Sequence, residues 1–134
     1  MKYIDTTVFV QAIRGIDEAR SLLVDIASGK VEACTSVLTW DEFVWVLKRQ
    51  LKDDALAREE GEKLLRFPHL HFADVTLDLL IRAQTLMVDN AMRPRDAIHA
   101  ATAISRGIKE IFTDDSDFDR IPGLTRRSLS KQLL

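Results

Sequence analysis

The chain has 134 residues, of which 46% are hydrophobic and 30% are charged, and its formal net charge is −2. This length predicts one domain with its own core, and the charge argues against a wholly basic nucleic-acid binder or a polycationic membrane binder. The single cysteine excludes an internal disulfide and a cysteine-based zinc cluster, and no apolar run approaches the roughly 18 residues that span a bilayer. We therefore expect one cytoplasmic domain over residues 1–134, without membrane contact.

Strand and helix patterns alternate along the sequence. The first strand covers residues 1–5, and two threonines open a helix directly after it. Further strands are predicted over 30–35, 70–75, 110–113 and 124–129, and helices over 16–28, 37–51, 77–88 and from 94 to the glycine at 107, with a charged helical segment at 48–66 folding back as a hairpin. The segment 37–51 is apolar nearly all round, which predicts a largely buried helix. The alternation implies an α/β fold with a central, mainly parallel sheet of four or five strands and helices on both faces.

Four acidic residues follow strands or lie early in helices of this pattern. Asp5 ends the first strand, and Asp115 follows a later one. Asp96 lies in the first turn of a helix, and Glu42 lies inside the apolar helix. Ligands bind at the carboxyl ends of the strands in such sheets, so these four carboxylates are expected to meet at one edge.

Each acid also has a purely structural interpretation. Asp5 can simply cap the helix that follows it, and Glu42 can complete a capping box that starts at Thr39. A cap at Ser36 would instead place Glu42 deeper in the helix. The acidic run 114–119 can be an ordinary surface turn. A calcium-binding EF-hand loop is excluded there, because arginines stand where its glycine and its bidentate glutamate are required.

Four carboxylates in one cleft would repel one another unless a cation held them ionised. Donors that are all oxygen favour Mg²⁺ or Mn²⁺, and His69 and His71 lack a third ligand with suitable spacing for zinc. A hard divalent cation in such a site supports hydrolysis of a nucleic-acid phosphodiester. His99, one helical turn after Asp96, is expected to be a buried histidine that supports the acids rather than a catalyst.

In chain order, the segments 3–9, 39–43, 95–103 and 111–124 resemble the four acidic motifs of PIN-domain ribonucleases. The resemblance extends over nearly the whole chain, and the length is similar to that of the VapC-type toxins of toxin–antitoxin pairs. It implies a single PIN-like domain that acts as a Mg²⁺- or Mn²⁺-dependent endoribonuclease on RNA. It further implies a homodimer and a cognate antitoxin that covers the cleft.

The resemblance also assigns roles to individual residues. It implies that the metal is held by Asp5, Glu42, Asp96 and Asp115, with Asp117 as an auxiliary acid and Thr7 and Thr113 as supporting hydroxyls. Between neighbouring acids, it selects Asp115 over Asp114 and Glu42 over Asp41.

Substrate contacts can be argued only from charge. A basic rim that could hold phosphates is offered by Arg93, Arg95, Arg120, Arg126, Arg127 and Lys131, with Arg126 and Arg127 exposed on the last strand. Each of these side chains can equally be solvated surface.

Two other functions are compatible with this sequence, and a third is disfavoured. The first is a PIN-domain nuclease of RNA maturation that has no antitoxin. The second is a non-catalytic RNA- or protein-binding domain whose acids serve as caps and turns. The third, a phosphohydrolase with an aspartyl nucleophile, is disfavoured because it requires an acid two residues after Asp5, where Thr7 stands.

Overall fold

The computed structural model describes residues 1–129, and Lys131 of the predicted basic rim lies outside them. Its centre is a sheet of strands β1 (Lys2–Ile4), β2 (Ala33–Ser36), β3 (Leu70–Ala73), β4 (Glu110–Phe112) and β5 (Thr125–Arg127). The helices are α1 (Thr6–Ile13), α2 (Asp17–Ala27), α3 (Leu38–Arg49), α4 (Asp54–Leu65), α5 (Leu77–Asn90) and α6 (Pro94–Ser105), and a 3₁₀ turn covers Ser116–Arg120. All strand pairs are parallel, so the predicted α/β fold is confirmed.

The strand order is β3-β2-β1-β4-β5, which places the first strand in the middle of the sheet. Tyr3 pairs with Cys34 on one side and with Ile111 on the other. The chain therefore builds one half of the sheet, returns, and builds the second half beside β1. In parallel sheets of this kind, the crevice for a ligand lies outside the carboxyl ends of the strands where the order reverses, here β1 and β4.

Two separate cores cover the two faces of the sheet. Tyr3 and Ile111 belong to the core under α5 and α6, whereas Ile4 belongs to the core under the first four helices. This alternation follows from the strand geometry, in which successive side chains point to opposite faces. The prediction of helices on both faces is thus confirmed, and the two cores hold β1 rigidly.

The prediction that the apolar helix is largely buried is wrong. In α3 the buried positions lie on one face, which includes Phe43 and Leu47, because β2, α1 and α4 contact the helix from that side. Trp40 and Trp45 are 40% and 48% exposed. Two large aromatic side chains therefore lie at the surface, and one of them matters for the site described below.

Within residues 1–129, no helix is both long and apolar enough to cross a membrane.

Candidate active site

A cleft of about 370 Å³ opens at the carboxyl ends of β1 and β4. Its lining includes all four acids that the sequence singled out: Asp5, Glu42, Asp96 and Asp115. They come from four different parts of the chain: the end of β1, the second turn of α3, the first turn of α6 and the loop that follows β4. The fold therefore brings the predicted site residues into one place.

Asp5 both caps α1 and faces the cleft, so its two interpretations are compatible. Its Oδ1 accepts a hydrogen bond from the backbone N–H of Thr6 at 2.8 Å. Its Oδ2 accepts from the hydroxyls of Thr113 at 2.7 Å and Thr7 at 3.2 Å. The Thr113 hydroxyl also accepts from the backbone N–H of Asp115 at 3.1 Å. One buried hydroxyl thus ties the ends of β1 and β4 together, and both predicted threonines contact Asp5.

Three half-buried acids approach one another most closely. Asp96, Asp115 and Asp117 each offer a carboxylate oxygen, and these oxygens lie within 4.8 Å of one another. Burial, together with the negative charges of Asp115 and Asp5, raises the pKa of Asp96 to about 7. Without a cation, the site therefore keeps a proton on one of its acids near neutral pH.

These donors fit a hard divalent ion. All of them are carboxylate oxygens, which Mg²⁺ and Mn²⁺ prefer, and no cysteine or histidine belongs to the close group within the described residues. The raised pKa of Asp96 is consistent with such an ion, because a nearby cation would offset the burial and the repulsion that keep the proton bound.

Glu42 is held by a histidine and a threonine. Its Oε1 accepts from the Thr6 hydroxyl at 2.7 Å and lies 2.5 Å from Nε2 of His99. The other ring nitrogen of His99, Nδ1, lies 2.6 Å from the hydroxyl of Tyr3. A hydrogen-bonded line from Tyr3 through His99 to Glu42 therefore runs from the sheet to the cleft.

The capping-box interpretation of Glu42 is wrong. The helix begins at Leu38, whose backbone N–H bonds to the Ser36 hydroxyl at 3.1 Å. Thr39 lies inside the helix, and its hydroxyl pairs with that of Thr35 at 2.7 Å. Glu42 is therefore too far along α3 to reach back to a cap.

His99 and Glu42 shift each other's pKa values. Burial lowers the pKa of His99, but the hydrogen bond to Glu42 and the charges of Asp5, Glu42 and Asp96 outweigh it, so the pKa is raised. Burial likewise raises the pKa of Glu42, but the bond and charge of His99, with the Thr6 bond and Arg95, leave it lowered. His99 is therefore a buried partner of Glu42 whose protonated form the neighbouring acids favour, consistent with its predicted supporting position.

The two ambiguous neighbouring acids lie elsewhere. Asp41 is exposed and is not part of the cleft lining. Asp114 accepts hydrogen bonds from the backbone N–H of Leu129 at 3.0 Å and from the side chains of Ser128 and Gln11. It fastens the chain after β5 to α1.

The predicted basic rim is only partly present. Arg95 lines the cleft, and Arg93 is exposed. Arg120 donates to the backbone oxygen of Ala91 at 2.9 Å and pairs with Asp117 at 3.4 Å.

Arg126 is not exposed as predicted. It makes two hydrogen bonds to the Asp119 carboxylate, at 2.9 and 3.2 Å, which lay its side chain against the acidic turn. Arg127 is exposed and pairs with Glu110 at 2.6 Å.

Sequence reasoning missed part of the lining. The cleft is also bordered by Gln11 of α1 and Trp45 of α3, and by Arg14 and Gln50, which directly follow these two helices. Trp45 follows Glu42 by three residues, so helical spacing carried the signal, but its large apolar side chain was taken for core.

Comparisons with known proteins support the family prediction. The family model described as "PIN domain" matches residues 2–124. A search of curated proteins gave no match. Among solved structures, the chain is similar to VapBC2 from Rickettsia felis bound to a promoter DNA fragment, with a TM-score of 0.75, 19% identity, and coverage of 96% of this chain and 98% of that one.

Two further structures resemble the fold. One is a toxin–antitoxin complex from Klebsiella pneumoniae, with a TM-score of 0.69, 21% identity, and coverage of 93% and 96% of the two chains. The other is VapC20 from Mycobacterium tuberculosis, a toxin that cleaves the sarcin–ricin loop, with a TM-score of 0.70, 20% identity, and coverage of 89% and 93%. The motifs, the parallel sheet and the match over nearly the whole length lead to one conclusion: the chain belongs to the PIN domain family.

Proposed function

We propose that this protein is a Mg²⁺- or Mn²⁺-dependent endoribonuclease that acts as the toxin of a toxin–antitoxin pair. The observation that carries the proposal is the acidic cleft, in which Asp96, Asp115 and Asp117 approach closely and burial and repulsion keep the pKa of Asp96 near 7. Acids that only capped helices or formed turns would gain nothing from being gathered at this cost in electrostatic energy.

Different residues have different tasks in this proposal. Asp96, Asp115 and Asp117, with Asp5 beside them, hold the metal, and Glu42 completes the acidic lining. A divalent ion, when bound there, supplies Lewis-acid activation of water and stabilises negative charge on the phosphodiester. The hydroxyls of Thr7 and Thr113 fix the orientation of Asp5, and the Tyr3–His99 line fixes that of Glu42. Arg95, in the same lining, contacts a backbone phosphate of the RNA.

The toxin role rests on the similar structures. VapC20, to which the fold is similar, cleaves the sarcin–ricin loop, and other similar structures are toxin–antitoxin complexes. The surface offers places for the partners that this role requires. An apolar groove of about 450 Å³ among α1, α2, α3 and α4 suits a segment of an antitoxin, and the exposed Leu77, Ile81 and Val88 of α5 suit a homodimer contact.

The decisive experiment is RNA cleavage by purified, partner-free protein in the presence of Mg²⁺, Mn²⁺ or EDTA. We expect the metal to be required, and Asp5→Asn and Asp96→Asn to abolish cleavage. Asp41→Asn is the matched control, because it removes the same charge from an exposed position outside the cleft and should cleave as the native protein does. Metal-dependent RNA binding without cleavage would instead favour a non-catalytic binding domain.

The toxin role has a separate test. We expect a short neighbouring gene that encodes a small DNA-binding protein, and co-expression of its product should suppress cleavage. Cleavage without any such neighbour would favour a nuclease of RNA maturation. Light scattering after gel filtration, with Ile81→Glu as the disrupting variant, tests the dimer.

A further inference from the structure

The cleft has a part that the acids do not explain. Beyond the acidic end, its lining continues with side chains of α1, of α3 and of the residues that directly follow these helices: Val10, Gln11, Arg14, Trp45, Val46 and Gln50. These residues hold no position in a metal site, yet they border the same space as the carboxylates. A strand whose phosphate lay at the acids would have its neighbouring nucleotide against them.

Helical spacing sets the direction of this extension. Glu42, Trp45 and Gln50 are three and five residues apart along α3, so Trp45 lies about 4.5 Å and Gln50 about 12 Å beyond Glu42 along the helix axis. On α1, Thr6 contacts Glu42, and Arg14 lies two turns further on. Arg14 donates to the side-chain oxygen of Gln50 at 3.3 Å, which joins the two helices at the far end.

Trp45 is the largest apolar side chain of this extension, and it is 48% exposed. The guanidinium carbon of Arg49 lies 5.9 Å from the centre of its ring. Trp40, on the same helix and exposed to a similar degree, instead borders a groove between α3 and α4 with Val44 and Gly61. Of the two tryptophans, therefore, only Trp45 lines the acidic cleft.

We propose that Trp45 is a stacking platform for an unpaired nucleobase of the RNA strand that is held at the acids. The inference rests on the proposed function and adds to it a residue that contacts a base of the RNA. An indole face accepts any base by stacking, and arginines beside it contact the flanking phosphates. Arg14 and Arg95, both in the lining, supply positive charge on this path, which suits a polyanion better than an apolar peptide.

The platform predicts a preference for unpaired RNA. In a duplex each base is already stacked and paired, and an indole at the side of a cleft cannot reach its face. A base that is unpaired in a loop or single strand can turn onto the ring. Stacking on one aromatic side chain changes affinity by about 5- to 100-fold.

Two single-tryptophan proteins test the contact directly, since the chain has two tryptophans. Trp40→Phe leaves Trp45 as the reporter, and Trp45→Phe leaves Trp40. Both carry Asp5→Asn so that RNA stays intact, and Mg²⁺ is present throughout. A six-nucleotide single-stranded RNA should quench the emission of Trp45 in a saturable manner and leave that of Trp40 unchanged. The same RNA with abasic sites keeps the phosphates but should not quench Trp45.

Affinity provides the second measurement, by anisotropy of labelled RNA in the same Asp5→Asn background. Trp45→Ala should raise Kd about 5- to 100-fold, whereas Trp45→Phe, which retains a ring, should keep most of the affinity. Trp40→Ala is the matched control and should change Kd less than twofold. Melting curves establish that each variant is folded at the assay temperature.

The outcomes separate this inference from the function on which it rests. Equal affinity of the native protein and Trp45→Ala, or of the intact and abasic RNA, would overturn the platform and leave the indole to a protein partner, even if cleavage were established. Quenching and base-dependent affinity without any cleavage by the native chain would support the platform and reject the nuclease. Absence of both RNA binding and cleavage would overturn both.

Discussion

Replacing Asp96 by asparagine should stabilise the metal-free protein at alkaline pH. In the folded chain, burial and then the charges of Asp115 and Asp5 raise the pKa of Asp96 from 3.8 to about 7. A raised carboxyl pKa means that the folded state binds the proton more tightly than the unfolded state, so stability is lost as the pH rises from about 4 to about 7. Asparagine resembles the protonated acid and avoids this loss.

The size of the effect follows from proton linkage. The difference between a pKa of 3.8 and one of about 7 corresponds to roughly 4 kcal/mol at pH 8 for a fully isolated group. Asp96 is only half-buried, and solvent screening reduces this to about 1–2 kcal/mol. For a chain of this length, the melting temperature should rise by about 3–8 °C.

Thermal unfolding in EDTA at pH 8 and pH 5 is the assay. The gain of Asp96→Asn should be largest at pH 8 and less than half as large at pH 5, where the native acid is protonated. In Mg²⁺ the native chain should instead melt at a higher temperature than Asp96→Asn. An Mg²⁺ concentration of a hundred times Kd stabilises the native chain by about 2.7 kcal/mol and the variant much less. Asp41→Asn controls for the loss of one charge. A variant that is no more stable than the native chain in EDTA at pH 8 would refute the argument that these acids repel one another.

Three further predictions concern the groups around the acids. Thr113→Val removes the hydroxyl that bonds Asp5 and the backbone of Asp115, so it should cost about 1–3 kcal/mol of unfolding free energy and weaken Mg²⁺ binding. Urea denaturation would measure the first effect and calorimetry the second, and an unchanged Mg²⁺ affinity would contradict the role given to the hydroxyl. Tyr3→Phe leaves the Nδ1 proton of cationic His99 without an acceptor, so it should cost about 1–3 kcal/mol at pH 6 in urea. Because the pKa of His99 is raised, its contribution to stability is complete below pH 6.5 and is lost as the pH rises through the higher pKa of the folded state. The urea midpoint of His99→Gln should therefore vary less with pH between 6 and 9 than that of the native chain. Parallel curves for the two proteins would contradict the raised pKa of His99.

The fold was predictable because its signals are local. Strand and helix patterns alternate, and the parallel sheet follows from that alternation alone. The acids were predictable for a related reason: Asp5 directly follows β1, Asp115 lies in the loop just after β4, and Asp96 lies in the first turn of α6, positions that the topology brings to one edge. The preference for Asp115 over Asp114 came from the resemblance. The structure gives a physical reason: Asp114 is held by hydrogen bonds from Leu129, Ser128 and Gln11, whereas Asp115 lines the cleft.

What sequence reasoning could not supply depends on tertiary contacts. The bond between Glu42 and His99 joins residues 57 positions apart, and no local pattern indicates that α3 and α6 meet there. The exposure of Trp45 was missed because an aromatic residue in an apolar helix is usually core, and only the arrangement of α1, β2 and α4 shows which face stays open. Arg126 was expected at the surface, and its pairing with Asp119 requires the geometry of the 3₁₀ turn.

The central position of β1 has a consequence for protein synthesis. β1 leaves the ribosome more than 100 residues before its second neighbour, β4, and Tyr3 pairs with Ile111 only when that strand is available. A nascent or prematurely ended chain that lacks β4 has neither Asp115 nor the hydroxyl of Thr113 to orient Asp5. We expect such fragments to leave RNA intact in a cell-free translation assay, so the proposed nuclease activity would reach the ribosome that makes the chain only after β4 has been synthesised.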